Sequence, residues 1–290
     1  MRKTTLIILL ALAASGIHSY AQQFYIKGGI GYALPMPGQT KDQLGNVLNG
    51  TVTNTSTSTS YQLKSASFSA GVHGQVGGGY MFTPNIGIEL DADINLAPQT
   101  YTASVSGEVN SSSVTYNYTG ERQANNTVLL MPSLIVKTDN KKCDVYMRMG
   151  IALPVNSGIK LRETYVYQTG DIDILRWDVK NYFSPGFDAA TGIKFNIGTD
   201  VTIFGELSIL YMALSREERS LTTANLNGHT YGPSQLTGIT QYHYTQNGTR
   251  DGAGNDNAFS QPFSNIGITA GISYAIRHAQ RKSPRTGHKK

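Results

Sequence analysis

The sequence predicts an all-β chain: a transmembrane antiparallel up-and-down β-barrel of eight strands, with short periplasmic turns and long extracellular loops. Three observations predict it. Segments that alternate apolar and polar residues recur along the chain. The connections between them alternate between long and short. An apolar leader at the N-terminus marks the chain for export.

The pattern is cleanest in Asn85–Leu96. Ile86, Ile88, Leu90, Ala92, Ile94 and Leu96 fall on one face, and Asn85, Gly87, Glu89, Asp91, Asp93 and Asn95 on the other. Alternate side chains of a strand point to opposite faces, so this strand separates an apolar medium from a polar one. In a membrane barrel the apolar face meets lipid and the polar face is enclosed.

The leader has three parts: the basic start Met1-Arg2-Lys3, the apolar run Leu6 to Ala14, and the small-x-small sequence Ser19-Tyr20-Ala21. Residues 1–21 therefore read as a secretory signal peptide, too short in its apolar part to span a bilayer. Gln22 follows the cut and is not Cys, which argues against a lipoprotein anchor. No later segment approaches the ~20 apolar residues of a membrane helix. An integral protein of this sequence must then be a barrel, because only helices and closed barrels satisfy every backbone polar group in lipid.

The formal charge of +5 is misleading. Eight of the 24 basic residues lie in the leader or in the stretch Arg277 to Lys290, leaving 16 against 19 acidic ones. The body is mildly acidic, so nucleic acid is not an expected partner. Residues 278–290 read as a basic periplasmic tail without order. The single Cys143 excludes an intramolecular disulfide and suggests no metal cluster. The 31 Gly and 17 Tyr suit close-packed strands with aromatic rims.

Taken in order, the first strand runs Phe24 to Tyr32, with Phe24, Ile26, Gly28, Ile30 and Tyr32 outward and Tyr25, Lys27, Gly29 and Gly31 inward. The Thr/Ser/Asn-rich stretch Thr51 to Ser60 reads as exposed loop. The second strand is expected at Ser67 to Phe82, with Phe68, Ala70, Val72, Val76, Tyr80 and Phe82 outward and Ser69, His73, Gln75 and Met81 inward. Its glycines fit a narrow barrel with little interior room. Thr83-Pro84-Asn85 turns the chain into the third strand. A polar segment to about Gln123 has two weakly alternating arms, a hairpin that extends beyond the membrane.

The fourth strand, Thr127 to Lys137, has Val128, Leu130, Leu134 and Val136 outward, and Pro132 suggests a bulge. In the fifth, Val145, Met147, Met149, Ile151 and Leu153 point out while Asp144, Tyr146, Arg148 and Gly150 point in. Another hairpin is expected near Gly170-Asp171. The sixth strand sets Phe187, Ala189, Ile193, Phe195 and Ile197 against Asp188, Ala190, Gly192, Lys194 and Asn196. The seventh sets Val201, Ile203, Leu207, Ile209 and Tyr211 against Thr202, Glu206 and Ser208. After the longest connection, about Ser215 to Gln261, the eighth sets Ile266, Ile268, Ala270, Ile272, Tyr274 and Ile276 against Gly267, Thr269, Gly271 and Ser273. The barrel domain is thus residues 22–277.

In the last strand Thr269, Gly271, Tyr274 and Ile276 form the pattern polar, Gly, aromatic, apolar. It resembles the terminal-strand signal read by the outer-membrane assembly machinery. With the leader and the alternation of loop lengths, the mature chain resembles the membrane domain of the OmpA/OmpX-like porin families. That resemblance implies a bacterial outer-membrane location and the assembly machinery, outer-membrane lipid and lipopolysaccharide as partners. One departure is that the chain continues past the final strand to Lys290.

The enclosed face holds the candidate site residues Lys27, Glu89, Asp91, Asp93, Asp144, Arg148, Asp188, Lys194 and Glu206, with Lys137 and His73 beside them. Eight strands enclose a space just wide enough for side chains. Charges there must pair, which predicts a plug of ion pairs. In the sharper alternative, Glu89, Asp91 and Asp93 line a narrow cation-favouring pore.

The expected function is a structural or small porin-like role. The alternative is an adhesin acting on extracellular surfaces through its loops, and a weaker one is a lipid A-modifying hydrolase using His229 or His243. No catalytic, cofactor or metal residue is assigned, and no cofactor is called for. Arg216-Glu217-Glu218-Arg219 reads as a solvated charge cluster. Tyr61, Tyr101, Tyr165, Tyr167, Tyr182, Tyr211 and Trp177 read as an interfacial girdle. Cys143 reads as a small apolar filler.

Overall fold

The computed structural model describes residues 23–36, 50–54, 59–63, 65–106, 116–140, 142–237, 240–245, 255–257 and 260–276. The leader and the basic tail lie outside the described residues. In chain order the first strands are β1 (Gln23–Pro35), β2 (Gly50–Asn54), β3 (Thr59–Leu63), β4 (Gly71–Met81), β5 (Ile86–Pro98), β6 (Thr100–Ser106) and β7 (Tyr116–Ala124). Next come β8 (Val128–Lys137), β9 (Cys143–Asn156), β10 (Ile159–Tyr167), β11 (Ile172–Asn181), β12 (Gly186–Asn196) and β13 (Val201–Tyr211). The last are β14 (Ala213–Leu226), β15 (His229–Tyr231), β16 (Gln241–Thr245), β17 (Asn255–Asn257), β18 (Ser260–Pro262) and β19 (Asn265–Ile276).

Eight of these close on themselves in the order β1-β19-β13-β12-β9-β8-β5-β4, every neighbour antiparallel. Closure leaves the barrel no free edge, so each backbone polar group within it pairs inside the wall. The outward positions form an apolar belt around the circumference: Ile30 is 61% exposed, Leu90 54%, Met149 48%, Leu207 48% and Ile268 66%. Their inward neighbours, among them Glu89, Arg148 and Glu206, are buried. An apolar belt that encircles a sealed charged interior places lipid outside, and the barrel spans a membrane of the outer-membrane type.

The strands differ from the sequence reading at two places. β4 begins at Gly71, whose φ of +127° only glycine adopts without strain, and not at Ser67. The break ends the alternation, so Phe68 and Ala70 are buried at 1% and 0% exposure instead of facing lipid. Pro132 causes no bulge: the register holds from Leu130 opposite Leu153 to Ser133 opposite Gly150. The irregularity lies at Val128/Leu129.

Past the belt, the long connections build a second sheet, ordered β17-β16-β14-β11-β10-β7-β6-β2-β3, with β15 and β18 laid against β14. It grows directly out of the barrel wall: only Gln99 separates β5 from β6, and residues 157–158 separate β9 from β10. The Thr51 to Ser60 stretch, read as loop, supplies β2 and β3, and β2 pairs in parallel with β6. The inner face of this sheet is apolar. Leu161, Trp177, Val179, Leu214 and Leu221 pack with Phe68, Leu129, Met131, Leu210 and Phe263 over the end of the barrel. A lipid-facing charge at the membrane mid-plane costs about 2–4 kcal/mol. Met149→Arg, in the middle of β9, should therefore lower the urea midpoint for refolding into lipid vesicles. Glu217→Gln, exposed on the second sheet, should leave it unchanged.

Candidate functional site

The interior is organised by strand alternation, which turns every second side chain of eight strands into one narrow space. Space is made by glycines facing in. A Cβ at Gly79 would strike the Tyr25 ring, and one at Gly192 would strike the Tyr146 ring, so each glycine is the floor beneath an aromatic side chain. These two tyrosines close the lumen from the short-turn side and donate to its carboxylates. The Tyr25 hydroxyl donates to Glu89 Oε2 at 2.5 Å, and that of Tyr146 to Glu206 Oε2 at 2.9 Å.

Arg148 is the hub. Its Nε and Nη2 donate to the two oxygens of Glu206 at 3.1 and 2.7 Å, its Nη1 donates to Asp188, and its Nε lies 3.8 Å from both Glu89 and Asp91. Lys27 Nζ bridges the last two carboxylates, 2.6 Å from Glu89 and 2.8 Å from Asp91. Gln75 Nε2 donates to Asp91 at 3.0 Å. Lys194 sits between rings, its Nζ 4.6 Å from the centroids of both Tyr25 and Tyr146. Four carboxylates and three cations thus meet in one layer, each cation held by a planar fork, a pair of carboxylates or two aromatic faces.

Four further residues lie at the two ends. Lys137 and Asp144 form a pair of their own at 2.9 Å near the short turns. There a depression of about 420 Å3 reaches in as far as Lys194. At the other end His73 Nδ1 lies 2.6 Å from Asp93. Beside them is a cavity of about 30 Å3, bordered by Arg148, Asp188 and Glu206 of the charged layer and by Leu129, Met131 and Phe263 of the apolar core. The charged layer is therefore roofed by the apolar core. This roof is not among the features expected from the sequence. Its signal was Leu129, Met131 and Leu210, apolar residues at inward positions of β8 and β13.

Above the roof the second sheet has its own polar knot. Glu163 accepts from Trp177 Nε1 at 2.8 Å, from Arg219 Nη2 at 3.0 Å and from the Tyr118 hydroxyl at 3.3 Å. The Arg219 guanidinium stacks 3.8 Å from the Trp177 ring. Arg216 is fully buried and lies 5.9 Å from the Tyr244 ring centroid. Burial, and behind it the charge of Arg122, lowers its pKa. Hydrogen bonds from Ser220 and Gln241 hold the Glu218 carboxyl below the usual carboxylate range.

The Arg216-to-Arg219 segment is thus half core, because β14 alternates where a solvated cluster was expected. The girdle reading fails for Tyr101 and Trp177, both buried in the second layer, while Tyr211 at the rim is 69% exposed. The side chain of Tyr61 lies outside the described residues. His229 and His243 pair with Leu226 and Glu218, about 26 Å apart along β14, and form no common centre. Thr269, Gly271, Tyr274 and Ile276 lie on β19 beside β1, with Thr269 3.4 Å from His73.

No protein-family model and no curated protein matches the chain. Among solved structures it is similar to neisserial surface protein A, with 11% identity over 87% of this chain and 96% of that one, at a TM-score of 0.32. It is similar to Ail, the attachment invasion locus protein of Yersinia pestis, with 8% identity over 88% and 99% and a TM-score of 0.30. It is also similar to a major outer membrane protein from Thermus thermophilus, with 11% identity over 89% and 100% and a TM-score of 0.38.

Removing one member of a buried ion cluster strands its partners, at a cost of about 3–5 kcal/mol. Arg148→Met should therefore unfold at markedly lower urea in detergent, followed by the cold-gel mobility shift of the folded barrel. Adding Asp188→Asn and Glu206→Gln to it should restore most of the loss.

Proposed function

We propose that this membrane-spanning barrel serves as a closed anchor, and that its working surface is the sheet built from the long connections. The observation that carries this reading is the double seal of the lumen. A hydrogen-bonded ion cluster centred on Arg148 fills the middle, and the apolar core of Leu129, Met131, Leu210 and Phe263 lies directly over it. Glu89 and Asp91 are held by Lys27, and Asp93 by His73, so the acids that a cation would need are already engaged. An apolar constriction further opposes water and ions by dewetting.

The long connections face the cell exterior in this reading, as they do in outer-membrane barrels. The protein would then act by presenting a rigid surface to external partners, and its lumen would contribute stability alone. The continuity of β5 with β6 and of β9 with β10 supports this, because a sheet rooted in the barrel wall holds a fixed shape without a ligand. A narrow cation pathway is the competing reading.

Planar-bilayer recording of the purified full chain separates the two. The anchor should give no steady conductance at neutral pH. Reproducible cation-selective steps would overturn the reading.

A further inference from the structure

The ions of the lumen do not cancel. Lys137 and Asp144 neutralise each other near the short turns. Of the other lumen ions among the described residues, the carboxylates are Glu89, Asp91, Asp93, Asp188 and Glu206. The bases are Lys27, Arg148, Lys194 and, counted as a cation, His73. Lys27 and Lys194 match Glu89 and Asp91. The surplus negative charge therefore falls among Asp93, Asp188 and Glu206, which have only Arg148 and His73 between them. All five of these groups border the cavity of about 30 Å3 under the apolar core, and none of the buried arginines of the second sheet does.

The same cavity is lined by two amides whose oxygens accept nothing. Gln75 and Asn95 are 2% and 4% exposed. Gln75 donates its Nε2 to Asp91 at 3.0 Å and Asn95 its Nδ2 to the Phe68 carbonyl at 3.5 Å. Neither Gln75 Oε1 nor Asn95 Oδ1 meets a donor among the described residues. Leu129, Met131 and Phe263 close the top of the cavity and have no side-chain donor to offer. A buried acceptor without a donor is costly, and so is a buried charge without a partner. Water would satisfy the oxygens and leave the charge, whereas a cation satisfies both. About 10–15 Å3 of such space admits one water-sized particle, so the cavity accommodates a dehydrated ion. Among the described residues no three Asp, Glu, His or Cys side chains converge as a divalent or transition metal requires. Amide and carboxylate oxygens with a single surplus charge suit a hard, monovalent ion.

We propose that this cavity is a binding site for an alkali-metal cation, held by Gln75 Oε1 and Asn95 Oδ1 and neutralising the surplus of Asp93, Asp188 and Glu206. The ion is enclosed as the second sheet settles over the barrel, so it acts as a structural part of the fold. Sealed in place it carries no current. The site is thus compatible with a closed anchor, and its test can fail without the conductance experiment failing.

The test follows urea unfolding and refolding of the full chain in detergent by the gel mobility shift, at fixed pH and ionic strength. The salts are sodium, potassium and N-methyl-D-glucamine chloride, the last with a cation too large for the cavity. For sodium or potassium, the folding equilibrium constant of the parent should rise about tenfold for each tenfold increase in concentration above the dissociation constant. It should not respond to N-methyl-D-glucamine. Asp93→Asn removes the surplus charge and should abolish the response. Gln75→Met removes a ligand oxygen and should shift the response to concentrations higher on the order of tenfold. Asp144→Asn also removes a lumen carboxylate, at the other end, and should keep the response of the parent. Equal stability of the parent in all three salts overturns the proposal, because water alone then occupies the cavity. A response unchanged in both Asp93→Asn and Gln75→Met overturns it too, because the ion then binds elsewhere. If neither variant folds, the salt series of the parent still decides.

Discussion

The constraint on which the structure depends is that ionised groups enclosed in lipid must neutralise one another. Water is excluded on the outside by the membrane and on the inside by the wall's own side chains, so no charge can be left to solvent. Arg148 meets this demand with geometry that a lysine could not reproduce. Its fork engages both oxygens of Glu206 and still reaches Asp188, while Lys27 ties the remaining carboxylates to the same layer. Five of the eight strands send a member into this cluster: β1, β5, β9, β12 and β13. The register of the barrel is therefore fixed from within. A slip of one residue on any of them would turn an ion out into lipid and bring an apolar side chain or a glycine into the cluster.

Much of the barrel is legible because its two environments are so unlike. Where lipid lies on one side and a packed polar interior on the other, alternation is unambiguous, as in Ile86 to Leu96, and the eight strands and inward charges can be read directly. The failures share a cause. Beyond the membrane both faces of a strand tolerate polar residues, and the contrast fades. Thr51 to Ser60 reads as loop because its outer and inner positions are equally small and polar, yet β2 and β3 form there by pairing with β6 and each other. Arg216 and Arg219 read as solvated because sequence cannot show that Tyr244 and Trp177 provide faces for their guanidiniums. Phe68 reads as lipid-facing because only the backbone reveals that Gly71 ends the alternation. The apolar roof escapes the sequence for a related reason. Leu129 and Met131 blur β8 in isolation and acquire meaning only when the residues of other strands are laid above them.

The two interiors divide the work of stabilisation. In the barrel, specificity comes from hydrogen-bonded charge, and the surrounding lipid gives the outer belt its driving force. In the second sheet, water is present outside, so ordinary burial of Leu161, Trp177, Val179 and Leu221 holds the layer together. Phe263, Leu210 and Met131 belong to the boundary and join the two, which makes the sheet a rigid continuation of the wall.

This second layer has a consequence for biogenesis. With the long connections outside, as proposed, its hairpins traverse the bilayer as the wall assembles, since the strands that carry them enter from the opposite side. During that passage Leu161 and Trp177 have no partners, and the carboxylate of Glu163 has no arginine. The layer can condense only after β10, β11 and β14 have emerged together, and once condensed it is too broad to withdraw through the ring of eight strands. Crossing is thereby made one-way: the cap that forms on the far side acts as a rivet head, and the chain is locked in place by its own folding.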